Sequence, residues 1–302
     1  MRKLSLAFFG TPVYAAYLLE KIVNDKGLPE VKLVVTQPDR PVGKKQIITP
    51  SPVKTTAMKI GNLEIENSLE IENWKLKTKN IDLALVCAFG RILPKEILTI
   101  PKFGFWNIHY SLLPHYRGGA PSAYTLINGD KTTGVTILQM DERLDHGPII
   151  AQEETKILPD ERRPELEMRL TKIAFEMLKK LFLVLSEDSR LRRLGSLNEA
   201  RRGPTETSKP GIERKNQKHE LATYTKLLTK ADGFIPFTDL HKSTTYNRFR
   251  GLYPWPGLWT FVTINGQQKR LKIIDMDRTA IKAVQLEGKK LVDWPTFKRA
   301  YL

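Results

Sequence analysis

Short apolar segments alternate with amphipathic segments along the first two thirds of the chain. The apolar segments predict strands over Leu4–Phe9, Val31–Thr36, Leu63–Glu66, Ile81–Phe89, Phe103–His109, Gly134–Met140 and Ile149–Glu153. Apolar residues at helical spacing predict helices over Tyr14–Val23, Leu69–Lys77 and Glu165–Leu185. Strands that alternate with helices are typical of an α/β protein, so we predict a Rossmann-like open sheet.

The pattern changes after this region. Leu191–Glu220 is rich in Arg and Lys and poor in large apolar residues, which predicts an exposed basic linker. Two hairpins are predicted beyond it, Trp259–Ile264 with Lys269–Ile274 around Asn265-Gly266, and Ala280–Leu286 with Lys290–Val292. We therefore predict an α/β domain over residues 1–188, a linker over 189–220 and a small, mainly β domain over 221–302.

The composition is that of a protein that buries an apolar core. Of 302 residues, 41% are hydrophobic and 27% are charged, which excludes collagen-like and wholly disordered chains. The single cysteine, Cys87, excludes an intramolecular disulfide and favours a reducing compartment. No apolar run approaches the ~18 residues of a membrane-spanning helix, and Leu4–Phe9 is shorter than the apolar part of a signal peptide.

Positive charge is concentrated in the smaller part of the chain. The formal net charge is +16, of which +5 falls on residues 1–186 and +11 on residues 187–302. Such asymmetry indicates a polyanionic partner, with nucleic acid favoured over a membrane surface.

The turn after the first predicted strand argues against a dinucleotide cofactor. A dinucleotide-binding turn needs the spacing Gly-x-Gly-x-x-Gly, so that the backbone can approach a pyrophosphate. Here the turn reads Gly10-Thr11-Pro12-Val13-Tyr14-Ala15, with one glycine. Ligands of such sheets still bind beyond the carboxyl ends of the strands.

Polar residues that suit acyl transfer to an amine cluster at one of those ends. Asn107 and His109 alternate at the end of a predicted strand, so both face one side. Asp141, Glu142 and Asp145 offer carboxylates at another probable strand end. An amide donates to a developing oxyanion, an imidazole moves a proton near neutral pH, and a carboxylate orients the imidazole.

Structural interpretations of these residues stand beside the catalytic one. An Asn at a strand end is commonly a turn former, and a single His is commonly a hydrogen-bonded structural residue. Ser111 lacks the Gly-x-Ser-x-Gly turn of many hydrolases. His109, His115 and His146 lack metal-ligand spacing, so no metal is expected. Cys87 lies in an apolar strand and is expected in the core.

The motifs around these residues resemble those of the formyltransferase family that uses 10-formyltetrahydrofolate. The resemblance is carried by Asn107-x-His109-x-Ser111-Leu112-Leu113-Pro114, Arg117-Gly118 and Leu144-Asp145-x-Gly147. Further segments are similar to the members that act on charged initiator tRNA, namely Phe9-Gly10-Thr11-Pro12, Thr36-Gln37-Pro38-Asp39-Arg40-Pro41, Pro50-Ser51-Pro52-Val53-Lys54, Thr223-Tyr224-Thr225-Lys226, Pro254-Trp255-Pro256-Gly257 and Gln285-Leu286-Glu287-Gly288-Lys289-Lys290.

The resemblance implies specific roles for residues of this chain. Asn107, His109 and Asp145 match the family's catalytic trio. The residues implied in folate binding are Ser111, Leu112, Leu113, Pro114, Phe89, Gly90 and Ile92. The loop Gln37–Thr49 matches one that approaches the tRNA acceptor end, which implies tRNA binding by Arg40, Lys44 and Lys45.

The implied function is formyl transfer from 10-formyltetrahydrofolate to the α-amine of methionine on initiator tRNA, by a monomer in the bacterial cytoplasm. The C-terminal domain is then expected to resemble an OB-fold barrel. One alternative is a formyltransferase acting on a sugar-nucleotide amine. Another is a catalytically silent RNA-binding relative.

The chain departs from the family pattern at several positions. His146 replaces a common Thr, Arg143 replaces a common Gly, and Lys44 stands where an Arg is usual. The linker is longer and more basic. Few residues separate Asp277 from Ala280 where the family has further strands, which predicts an open or incomplete barrel.

Overall fold

A computed structural model describes residues 3–43, 45–68, 70–78, 80–195 and 212–302. The strands described are β1 (Ser5–Gly10), β2 (Glu30–Val35), β3 (Arg40–Val42), β4 (Ile47–Thr49), β5 (Glu64–Glu66), β6 (Leu83–Cys87), β7 (Phe105–His109), β8 (Arg117–Gly118), β9 (Thr132–Gln139), β10 (Ile149–Lys156), β11 (Tyr224–Thr225), β12 (Leu258–Ile264), β13 (Gln267–Met276), β14 (Ile281–Leu286) and β15 (Leu291–Asp293). The α-helices are α1 (Val13–Asn24), α2 (Pro52–Ile60), α3 (Ile71–Thr78), α4 (Lys95–Leu98), α5 (Pro121–Asn128), α6 (Arg163–Gly195), α7 (Ser243–Leu252) and α8 (Trp294–Tyr301).

The larger sheet is mixed and has the order β10-β9-β7-β6-β1-β2-β5. Neighbours from β7 to β5 are parallel, whereas β9 runs antiparallel to β7 and β10 antiparallel to β9. Gly10 is paired with Cys87 and Val86 with Asn107. The carboxyl ends of β1, β6 and β7 therefore meet at one edge. The predicted Rossmann-like open sheet is confirmed, with an antiparallel extension that the sequence pattern did not indicate.

Apolar layers cover both faces of this sheet. Every residue of β6 is buried, which confirms its prediction as a central strand. One face packs against α1 and α6. The other carries an aromatic group in which Phe9 makes edge contacts with Trp74 and Phe89. Burying an aromatic side chain of this kind contributes about 1.5–3 kcal/mol to the stability of the fold. These layers therefore stabilise the strands whose carboxyl ends meet at the sheet edge.

Cys87 lies in this core, as predicted. Its Sγ is 3.6 Å from the Tyr110 hydroxyl, and burial raises the pKa of the thiol to about 12. A protonated, buried thiol is a poor nucleophile, so Cys87 has a packing role.

The smaller sheet is a meander with the order β12-β13-β14-β15. Asn265 and Gly266 connect β12 to β13 with φ values of 49° and 74°, the left-handed conformation of a tight hairpin turn. Residues 277–280 connect β13 to β14 directly. Within the described residues this sheet is open, with β12 and β15 at its edges, as the short Asp277–Ala280 connection predicts.

Several elements were not predicted. α7 and α8 pack with the smaller sheet around a shared apolar core, and α2 and α5 belong to the larger part. The loop Gln37–Thr49 contains the hairpin β3–β4. Short elements of this kind carry too few apolar residues to show a clear period.

The predicted linker is only partly an exposed connection. α6 continues to Gly195, beyond the predicted boundary at residue 188, and residues 196–211 lie outside the described part. Lys215 then pairs with Ile149 of the larger sheet, and Gln217 is 6% exposed. The prediction of exposure is therefore wrong at Gln217, because its amide finds buried hydrogen-bond partners. Among the described residues, no helix is both long and apolar enough to cross a membrane.

Candidate active site

The strand β7 places Asn107 and His109 on one side of the sheet edge. Alternate residues of a strand share a face, and Asn107 is half-buried while His109 is 5% exposed. Asp145 reaches the same point from the loop between β9 and β10. The three side chains that the sequence singles out are therefore brought together.

The Asp145 carboxylate joins the group. Its Oδ1 accepts a hydrogen bond of 3.1 Å from Asn107 Nδ2, and its Oδ2 accepts one of 2.7 Å from the Gly118 N–H. Asp145 has a φ of 48°, a left-handed conformation that costs a non-glycine residue about 1 kcal/mol or more. Hydrogen bonds at both carboxylate oxygens offset that cost and fix the direction of the side chain.

The His109 imidazole faces oxygen acceptors at both nitrogens. Its Nε2 donates to the Tyr116 carbonyl at 2.9 Å, and its Nδ1 lies 3.6 Å from Asp145 Oδ2. The imidazole ring is therefore held between the Tyr116 carbonyl and the Asp145 carboxylate, with its orientation fixed by the Nε2 hydrogen bond.

Gly118 supplies the backbone N–H that binds the Asp145 carboxylate. A residue with a side chain does not fit at this position. Its φ is 113°, and an added Cβ would collide with the Thr225 carbonyl oxygen. β8 and β11 pair as parallel strands at this point. The segment that leads into the smaller sheet therefore lies directly against the candidate catalytic residues.

The loop after β7, Ser111–Pro114, is fixed by hydrogen bonds to buried groups. The Ser111 hydroxyl is buried and donates to the His115 carbonyl at 2.6 Å. The Leu113 N–H donates to Thr136 Oγ1, and the Leu113 carbonyl accepts from Gln152. Leu112 and Pro114 are half-buried. A ligand at this loop would meet a pre-ordered backbone.

The loop after β6, Ala88–Pro94, lies at the neighbouring strand end. The Phe89 ring is buried in the aromatic core, so this residue can offer only backbone groups to a ligand. Gly90 is exposed with a φ of 75°, and Ile92 is 89% exposed. Both predicted folate loops therefore border the Asn107 edge.

Of the predicted tRNA-binding residues, Arg40 and Lys45 lie on the hairpin β3–β4. Arg40 donates to Gln37 Oε1, and the Gln37 amide donates to the Phe89 and Gly90 carbonyls at 2.9 and 3.1 Å. The base of the hairpin is thus anchored to the loop after β6. Lys45 is exposed in its turn, and Lys44 lies outside the described residues.

The two unusual residues of the Asp145 loop take part in a polar cluster. His146 stacks on His219 with 4.0 Å between ring centroids and 2° between planes, and its Nδ1 donates to Asp141 at 2.8 Å. Arg143 Nη1 contacts His146 Nε2 at 3.4 Å. The replacements at 143 and 146 therefore leave the carboxylate of Asp145 with its partners.

His219 was not predicted as a site residue. Arg117 Nη2 donates to its Nδ1 at 2.8 Å. Partial desolvation, together with the neighbouring His146 and Arg117, lowers the pKa of the His219 imidazole. Gln217 was also missed, because a single Gln within a basic segment carries no signal in sequence.

Comparison with known family profiles gives a match to both parts of the chain. The formyl transferase family profile matches residues 2–181, and the profile of the formyl transferase C-terminal domain matches residues 227–280.

Within the described residues, no group of three or more His, Cys, Asp or Glu side chains is placed to hold a metal ion.

Similar proteins cover nearly the whole chain. A protein named methionyl-tRNA formyltransferase from Syntrophus aciditrophicus is 42% identical over 90% of this chain and 79% of its own length. Another of that name, from Caldicellulosiruptor saccharolyticus, is 37% identical over 91% and 80%. One from Geotalea uraniireducens is 34% identical over 100% and 96%.

Solved structures share the fold at lower identity. A 4-N formyltransferase from Francisella tularensis superposes with a TM-score of 0.63 at 18% identity, covering 92% of this chain and 100% of that one. An N-formyltransferase from Helicobacter canadensis, in complex with folinic acid and dTDP-3-aminofucose, gives 0.56 at 20% identity over 97% and 99%.

Proposed function

The chain belongs to the formyl transferase family, and we propose that it transfers the formyl group of 10-formyltetrahydrofolate to the α-amine of methionine on initiator tRNA. The observation that carries this proposal is the Asp145 carboxylate, bonded to Asn107 and 3.6 Å from His109 at the carboxyl edge of the sheet. Likeness over nearly the full chain to proteins named methionyl-tRNA formyltransferase supports the acceptor.

Asn107 stabilises the oxyanion in this reaction. When the neutral amine attacks the formyl carbon, the carbonyl oxygen gains negative charge. Asn107 Nδ2 has two hydrogens, of which one is donated to Asp145. The second is free to donate to the oxyanion, and a fixed donor of this kind contributes about 2.7–4 kcal/mol to the transition state.

His109 and Asp145 handle the protons. The attacking amine must lose a proton and the departing folate nitrogen must gain one. Asp145 accepts the proton that the amine loses and passes it to His109, which delivers it to the departing folate nitrogen. The 3.6 Å between their facing atoms is longer than a hydrogen bond, as is common for catalytic pairs without bound substrate.

The folate is proposed to lie between the two loops at the ends of β6 and β7. Gly90, Leu112 and Pro114 offer backbone groups and small apolar surfaces, and Ile92 offers an exposed apolar side chain. Ser111, Leu113 and Phe89 support the loops from below, because their side chains are buried. Such a cleft, apolar with a few fixed polar groups, is typical of small-molecule sites.

The tRNA is proposed to bind by its phosphates. The net charge of +16 favours a polyanion. The proposed phosphate contacts are Arg40 and Lys45 on the hairpin, together with Lys44. Because Gln37 anchors the hairpin to the loop after β6, an acceptor end held there would approach the folate cleft. We place this reaction in the bacterial cytoplasm, with the protein acting as a monomer.

A comparison of acceptors tests the proposal. The protein would be given one formyl donor with methionyl initiator tRNA, methionyl elongator tRNA and an amino sugar nucleotide. We expect formylation of the initiator tRNA at the highest kcat/KM. Preferential formylation of the sugar amine would overturn the proposed acceptor, and no formylation of any amine would overturn the proposed chemistry.

A further inference from the structure

We propose that Gln217 is a positioning residue for Asp145, and that it acts by fixing the backbone on both sides of residue 146. The inference rests on the proposed function, because it gives a role to a residue that touches the catalytic loop and not the substrate. Gln217 belongs to the strap, residues 212–225, which leads into the smaller sheet.

The amide of Gln217 uses all its hydrogen-bonding capacity. Its Nε2 donates to the Asp145 carbonyl at 2.9 Å and to the Gly147 carbonyl at 2.7 Å. Its Oε1 accepts from Arg117 Nη2 at 2.7 Å and from Arg117 Nε at 3.2 Å. Two donors and two acceptor directions are what a primary amide has, and all four are engaged.

These contacts hold Asp145 from two directions. The donors fix the backbone of a residue whose φ of 48° is unfavourable without such support. The acceptor holds Arg117, which is 2% exposed and precedes Gly118, the residue whose N–H binds the Asp145 carboxylate. One buried side chain therefore sets both the backbone and the carboxylate of Asp145.

Further hydrogen bonds join the strap to the segment that carries Tyr116 and Arg117. The Tyr116 N–H donates to Thr223 Oγ1, and the Arg117 N–H donates to the Thr223 carbonyl, both at 2.8 Å. Tyr116 in turn supplies the carbonyl that accepts from His109. The strap therefore borders Tyr116 and Gly118, which bond to His109 and to Asp145, and Gln217 bonds the strap to the backbone of the Asp145 loop.

The test uses three variants in the full chain. Gln217→Ala removes all four hydrogen bonds, whereas Gln217→Glu keeps acceptors for Arg117 and removes both donors. Asn216→Ala is the matched control, because Asn216 carries the same amide on the same strap and is exposed. The measurements are kcat and KM for donor and acceptor, the melting temperature, and hydrogen exchange of the Gly118 amide.

If Gln217 positions Asp145, both Gln217 variants lose kcat by about 10- to 100-fold, the effect of a catalytic group displaced by about 1 Å. Their KM values change by less than about threefold, and Gly118 exchanges faster. Asn216→Ala behaves as the wild type. A wild-type kcat in Gln217→Glu would overturn the inference, and so would a Gln217→Ala protein with lower melting temperature but unchanged kcat.

The outcome separates this inference from the proposed function. A wild-type protein that formylates a different amine contradicts the proposed acceptor, and the kcat comparison is then made on that amine. A wild-type protein without any activity contradicts the proposed chemistry. The hydrogen exchange of the Gly118 amide then tests the positioning role of Gln217 by itself. Exchange that stays at the wild-type rate in both Gln217 variants would overturn the positioning role.

Discussion

At the scale of single residues, the chemistry is concentrated on one carboxylate. Asp145 accepts from Asn107 and Gly118 and faces His109. Alternation along β7 predicts that Asn107 and His109 lie together, and the resemblance adds Asp145. The left-handed conformation of Asp145 and the amide of Gln217 were beyond prediction, because both depend on residues far apart in sequence.

Replacing Asn107 tests its proposed role. Asn107→Ala removes one oxyanion donor, which costs about 10²–10³ in kcat. KM for folate and tRNA should change little, because the binding loops are untouched. Single-turnover kinetics would measure the chemical step, with Asn128→Ala as the control, since the Asn128 amide donates to the Tyr116 hydroxyl instead. A rate within about threefold of wild type would remove Asn107 from the mechanism.

The histidine stack gives a second prediction for single residues. His146 contributes to the lowered pKa of His219, after partial desolvation. His146→Thr removes the neighbouring imidazole and opens the His219 ring to water, so the pKa of His219 should rise toward its ordinary value. NMR titration of the ring protons would measure it. An unchanged or further lowered pKa would contradict the proposed effect of His146 on His219.

At the scale of elements, predictability follows the strength of the local pattern. The apolar run of β6 and the Asn265-Gly266 turn are strong local signals, and both predictions are confirmed. The helices α5 and α7 are short and pack closely, since a Cβ at Gly251 would lie 2.6 Å from the Ala123 carbonyl oxygen. Their formation depends on each other, and one stretch of sequence does not carry that information.

The 3₁₀ turn over Lys230–Gly233 gives a pH-dependent prediction. Hydrogen bonds from Lys226 and Thr229 lower the pKa of Asp232 to about 2. A lowered carboxyl pKa stabilises the fold above the ordinary value near 4, and this stability is lost as pH falls toward 2. Asp232→Asn should therefore cost about 1 kcal/mol at pH 7, allowing for the exposure of Lys226.

Urea unfolding at several pH values would measure this difference. The free energies of unfolding of Asp232→Asn and wild type should converge below about pH 4. Glu220→Gln, at an exposed acid on a nearby turn, is the control and should stay within about 0.5 kcal/mol of wild type. A difference that is constant with pH would show that the ionised carboxylate is not responsible.

At the scale of the whole molecule, the two sheets are joined through the candidate site. The strap pairs with β8 and bonds to the Asp145 loop before it enters the smaller sheet. The fold class was predictable from periodicity, and the open smaller sheet from the short Asp277–Ala280 segment. The path of the strap was not predictable, because a basic segment with few apolar residues gives no sign of what it contacts. The domain limits at residues 188 and 220 stay predictions.

Salt dependence of tRNA binding tests the basic hairpin. If Lys45 neutralises one phosphate, Lys45→Ala makes the slope of log K against log salt shallower by about 0.7–0.9. The control is Lys26→Ala, an exposed lysine before β2, at the amino edge of the sheet. Equal slopes for wild type and Lys45→Ala would exclude this phosphate contact and leave the folate chemistry unaffected.

The most direct test of the central claim follows the formyl group itself. 10-Formyltetrahydrofolate labelled in the formyl carbon would be mixed with the protein and methionyl initiator tRNA for a single turnover, and the methionine then released and analysed. We predict that the label appears on the α-amine of methionine, and that Asn107→Ala slows its appearance by about 10²–10³. Label that remains on folate, or appears only as free formate, would contradict the account.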